Sequence, residues 1–89
     1  MDVNIETWRK KLRFRAQRRG FKEVDLIFGA FADAHLARLD AGQLEQFEAL
    51  LAVPDWQVYG WLMGETPVPA EYDNGVFALL QNYRAPRGS

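Results

Sequence analysis

Residues 21–36 read Phe21-Lys-Glu-Val24-Asp-Leu-Ile27-Phe28-Gly-Ala-Phe31-Ala-Asp-Ala34-His35-Leu36, and their spacing decides the fold class. Val24, Ile27, Phe28, Phe31 and Ala34 recur at steps of one, three and four, which gathers them along an α-helix. Apolar residues surround much of the segment, so it reads as a central helix running from near Phe21 to near Leu36. The period-two alternation of a strand occurs nowhere in the chain.

Reading outward, the segment before it predicts a first helix from about Glu6 to Arg18. Trp8, Leu12 and Ala16 form a narrow apolar stripe there, with Ile5 just ahead and basic residues on the other faces. Gly20 follows the last turn, where glycine commonly closes a helix in the left-handed conformation. After the central helix, Asp40-Ala-Gly-Gln43 resembles a capping box. It opens a third helix with Leu44, Phe47, Leu50 and Leu51 inward. Pro54 and Asp55 start a fourth, ended by Gly64 and crowded with Trp56, Val58, Tyr59, Trp61 and Leu62. Thr66 to Ala70 holds two prolines and reads as an extended connector. A fifth helix is expected from about Glu71 to Arg84, with Val76, Leu79, Leu80 and Tyr83 inward, before a frayed tail at 85–89. The expectation is an all-α protein, a compact five-helix bundle forming one domain over 1–89 with its helical core at 6–84.

Length agrees, because 89 residues support a single domain. A chain this short buries only about 60% of the surface it exposes when unfolded. Its apolar residues (48%, with 13% aromatic) must therefore pack well. The absence of cysteine rules out disulfides, thiolate metal sites and thiol nucleophiles. No apolar run approaches the roughly 20 residues of a membrane span, and the N-terminus lacks the apolar stretch of a signal peptide.

Groups able to do chemistry are few. His35 is the only histidine, and a lone imidazole near a helix C-terminus reads as a dipole partner or a satisfied polar group. Glu45 and Glu48 read as a solvated helix face, and Glu71 and Asp73 as acids at the positive end of the fifth helix. The glycines never form a dinucleotide fingerprint or a P-loop. These residues predict a protein that is not an enzyme and owns neither metal nor cofactor.

Charge is the strongest raw signal. Net charge is −1, yet residues 9–22 carry Arg9, Lys10, Lys11, Arg13, Arg15, Arg18, Arg19 and Lys22 without an acid. Residues 23–73 hold ten acids and one base, Arg38. A field so divided orients a protein as it meets a charged partner. The basic helix is open to three readings: a solvated amphipathic face, a dock for an acidic protein surface, or a small nucleic-acid-binding module. A pI near 5.7 and the lack of a recognition helix weigh against the last. Among Trp56, Tyr59 and Trp61, core packing is the plain reading, and one ring exposed at an interface is the alternative.

The bend Arg18-Arg19-Gly20-Phe21-Lys22-Glu23 combines features suited to binding. Gly20 has no Cβ, so it turns the chain and admits close approach. Arg19 carries a planar fork for a carboxylate or phosphate. Glu23 lies in the first turn of the central helix, where its charge suits the helix dipole and can hold a nearby arginine.

Arg19-Gly20-Phe21-Lys22-Glu23, at the end of a basic first helix, resembles the R-G-x-x-E motif of the succinate dehydrogenase assembly factors, the SdhE-type flavinylation proteins. Glu23-Val-Asp25 continues that motif. Phe47-Glu-Ala-Leu-Leu51, then Pro54-Asp-Trp-Gln-Val-Tyr-Gly-Trp-Leu-Met63 and the proline connector, follow in family order. The resemblance covers about residues 7–84. It implies a five-helix bundle that binds the flavoprotein subunit of succinate dehydrogenase, and the related fumarate reductase subunit, and promotes covalent attachment of FAD. FAD would be the cofactor of that client. Arg18, Arg19, Gly20, Phe21, Lys22, Glu23 and Asp25 would form the partner-binding site, with Arg19 and Gly20 meeting the client and Glu23 contacting it or orienting Arg19. A monomer forming a transient one-to-one heterodimer is expected. With the motif so close to Met1, the resemblance points to a bacterial cytoplasmic member.

Overall fold

The computed structural model describes residues 4–83. Its elements are α1 (Ile5–Ala16), α2 (Lys22–His35), α3 (Ala41–Leu51), α4 (Asp55–Leu62) and α5 (Gly75–Gln81), with 3₁₀ turns at Leu36–Arg38 and Ala70–Tyr72. Five α-helices and no strand occur among the described residues, as the periodicity predicts.

The spacing along α2 does what it implies. Val24, Ile27, Phe28 and Phe31 are buried, and α2 packs against α1, α4 and α5. Phe28 and Phe31 meet Phe47 of α3 at ring-centroid distances of 5.7 and 5.1 Å. Leu12, Ala16, Leu44, Leu50, Val58, Leu62, Val76 and Leu80 close the same core. Each large apolar side chain so buried contributes about 1.5–3 kcal/mol. Ala34 departs from expectation, being exposed while Ala32 is buried. The cause is the placement of α1 along the Gly29 and Asp33 side of α2, where Arg13 pairs with Asp33. Ala32 falls under that cover and Ala34 on the opposite flank.

Helix ends follow local chemistry. Asp40 and Gln43 form the complete capping box, with Asp40 Oδ1 accepting from the Gln43 N–H at 2.9 Å and Gln43 Oε1 from the Asp40 N–H at 3.0 Å. Gly64 takes φ +76° just past α4. Two boundaries differ from the sequence reading. The first helix stops at Ala16 instead of Arg18, because the Arg19 N–H leaves the helical ladder to bond Asp25 Oδ1 at 2.7 Å. The last helix starts at Gly75 rather than near Glu71. Glu71 lies in the 3₁₀ turn, and Asn74 caps the helix by accepting from the Phe77 N–H at 3.0 Å. Arg84, the expected end of that helix, and the tail 85–89 lie outside the described residues.

Candidate functional site

The bend between α1 and α2 is built around Arg19. Its side chain is only 8% exposed. Nε donates to Asp55 Oδ1 at 2.5 Å, and the two terminal nitrogens donate to the carbonyls of Leu51 and Val53 at 2.7 Å each. The guanidinium carbon lies 4.9 Å from the centroid of Phe28. Leu51 ends α3, where carbonyls lack helical partners, and Asp55 opens α4. A cation between the negative end of one helix and an acid at the start of the next is favourably placed. The fork therefore reaches a carboxylate, as its chemistry suggests, and that carboxylate belongs to the same chain. Arg19 fixes the bend to the α3–α4 connector.

The other residues of the bend divide into two groups. Asp25 faces inward, accepting from the Arg19 backbone, and Phe21 stacks on Tyr59 of α4 with centroids 5.1 Å apart. Arg18, Gly20, Lys22 and Glu23 face solvent. Gly20 takes φ +92°, and a Cβ there would meet nothing within 4 Å. Because α1 ends at Ala16 with Gln17 as its cap, Gly20 turns the linker and does not close the helix. Arg18 lies over the Phe14 ring at 4.5 Å. The Glu23 side chain makes no hydrogen bond or ion pair among the described residues. The group orienting Arg19 is Asp55, which is 36 positions away in sequence. Leu26, one turn beyond Glu23, is 63% exposed.

The basic stretch is partly neutralised by folding. Arg13 pairs with Asp33, Arg15 with Glu48 and Arg19 with Asp55. Arg9 donates to the carbonyls of Leu36 and Leu39 just past α2, at 3.1 and 2.8 Å, and pairs with Glu6. Lys10, Lys11, Arg18 and Lys22 are exposed without a carboxylate partner among the described residues. Glu48, read from the sequence as part of a solvated face, is half-buried and accepts from Trp8 Nε1 at 3.0 Å, tying α3 to α1. His35 is the satisfied polar group expected, with Nε2 2.8 Å from the Tyr83 hydroxyl.

Among the described residues, no group of three or more His, Asp or Glu could hold a metal ion, and no helix is long and apolar enough to cross a membrane. What the fold offers is a small helical scaffold whose bend carries exposed charges at Arg18, Lys22 and Glu23. The chain matches the family described as flavinator of succinate dehydrogenase over residues 10–84, and it belongs to that family. It is 33% identical over 81 residues to mitochondrial succinate dehydrogenase assembly factor 2 of Aedes aegypti, covering 89% of this chain and 50% of that protein. The counterpart of Dictyostelium discoideum is 35% identical over 79 residues, covering 89% of this chain and 56% of that one. The chain thus spans about half the length of these curated relatives.

Proposed function

We propose that this protein binds the flavoprotein subunit of succinate dehydrogenase, and the related subunit of fumarate reductase, and holds it in the arrangement in which FAD becomes covalently attached. The observation that carries the reading is the family match across residues 10–84, which includes the whole bend. The geometry supports a binding role. Gly20, Lys22 and Glu23 lie at the surface, and Glu23 has a carboxylate free for a partner. In this reading Glu23 and the open backbone at Gly20 meet the client, with Arg18 and Lys22 flanking them. Arg19, with Asp25, is a positioning residue that gives the bend its shape. The flavin belongs to the client, and bond formation is the client's own chemistry. The complex is a transient one-to-one heterodimer formed in the bacterial cytoplasm.

Co-expression with the client tests this, with covalent flavin read as fluorescence on a denaturing gel. Flavin attachment should rise with the wild-type chain and fall toward the level without it for Glu23→Ala. Undiminished attachment with a folded Glu23→Ala variant would remove Glu23 from the site. Equal attachment with and without the chain would remove the function. Nucleic-acid binding is the weaker reading, since Arg9, Arg13, Arg15 and Arg19 have partners within the chain and only Lys10, Lys11, Arg18 and Lys22 of the basic stretch stay exposed without a carboxylate among the described residues.

A further inference from the structure

Of the three aromatic rings crowded into α4, only one lies at the surface. Trp61 is 5% exposed, Tyr59 is half-buried against Phe21, and Trp56 is 71% exposed. Leaving an indole in water forgoes the burial of one of the largest apolar side chains. Trp56, Tyr59 and Met63, the last just past the helix, follow at steps of three and four on the side away from the buried Val58, Trp61 and Leu62. Tyr59 and Met63 pack against the edge of the core, so on that side of α4 Trp56 alone is left in water.

That face is continuous with the bend. Tyr59 stacks on Phe21, the residue after Gly20, at 5.1 Å. Arg19 bonds Asp55, the residue before Trp56, and the carbonyls leading into α4. Two surface features on separate helices are thereby locked in one register. The flank of Trp56 also opens on a groove of about 490 Å³ lined with Gln57, Gly60, Trp61, Glu65 and Thr66. Its charged lining residue, Glu65, and Glu23 at the bend are both acids without a partner among the described residues.

We infer that Trp56 is the apolar anchor of the client interface, seated in an apolar pocket of the flavoprotein subunit whose rim carries Lys or Arg side chains facing Glu23 and Glu65. This rests on the proposed client and extends the contact from the bend to α4. Arg19 serves the interface indirectly, by holding the anchor and the bend at a constant separation. Tryptophan suits the role, since buried indoles concentrate binding energy at the centres of protein interfaces.

Calorimetric titration of the purified flavoprotein subunit with wild type, Trp56→Ala, Trp56→Phe and Glu23→Ala tests the inference. Trp56→Ala should weaken binding roughly 30-fold or more, the range of an interface anchor. Trp56→Phe should keep most of the affinity. Because the ring is exposed, the urea midpoint should not move. On complex formation the wild-type tryptophan emission should shift to shorter wavelength, and the shift should vanish in Trp56→Phe. Wild-type binding with Trp56→Ala within threefold of it, or an unchanged emission shift in Trp56→Phe, overturns the inference and leaves the client reading standing. No binding by the wild type overturns the client reading itself. Sedimentation covers the other occupant: a wild-type dimer made monomeric by Trp56→Ala, with client affinity unchanged, assigns the face to a second copy and refutes the proposal.

Discussion

Replacing Arg19 with alanine removes three side-chain hydrogen bonds and a ring contact together, and leaves Asp55 and two carbonyls without their donor. Breaking a buried ion pair from one side costs about 3–5 kcal/mol. Asp55 remains 23% exposed and can recover some hydration, which places the expected loss at the lower end, about 3 kcal/mol. A domain of this size melts about 4–8 °C lower per kcal/mol lost, so Tm should fall by roughly 12–24 °C. Arg19→Lys should recover less than half of that. An ammonium on a flexible stem cannot reach three acceptors held in a planar fork. Glu23→Ala should cost no more than about 1 kcal/mol, the size of its interaction with the start of the helix, since its side chain is exposed and unpaired among the described residues. The two charges of one short motif would then separate cleanly, one acting on the fold and the other on binding. Thermal and urea unfolding followed by circular dichroism measure both. A melting temperature for Arg19→Ala within about 3 °C of wild type would show that these bonds do not hold the bend to the α3–α4 connector.

Other perturbations follow from single contacts. Gly20→Ala should cost about 1–3 kcal/mol through its positive φ alone, since a Cβ meets no neighbour, and urea titration reads it. Asp40→Ala removes the capping box of α3 and should cost about 0.5–2 kcal/mol in the same assay. Tyr83→Phe leaves the ring against Phe31 but removes the bond to His35, for an expected loss of about 0.5–1.5 kcal/mol.

The parts of the fold legible in the sequence are those governed by near neighbours. The three-and-four spacing of Val24, Ile27, Phe28 and Phe31 marks the buried helix, Asp40 and Gln43 mark a cap, and Gly64 marks a stop. What escaped depends on residues distant in the chain. Nothing local indicates that Arg19 will meet Asp55, Leu51 and Val53, or that Glu48 will accept from Trp8. Only the packing of α1 decides between Ala32 and Ala34. The sequence places the start of α5 too early for a local reason. Glu71 and Asp73 resemble a helix entry, yet Asn74 is the residue whose side chain caps it. At the bend, the sequence indicates which residues matter but not which way they face. Seen as a string, Arg19 and Glu23 look like equivalent charged contacts. In the structure one is enclosed and the other is open, with the exposed Leu26 one turn further along the same helix.

The bend is proposed to work by binding a client protein through Glu23 while Arg19 holds its shape. Titrating the purified flavoprotein subunit with wild type and Glu23→Ala, at matched urea midpoints, tests it most directly. A one-to-one complex is expected with the wild type, and a clearly weakened one with the variant. A variant that binds the subunit as tightly as the wild type would contradict it.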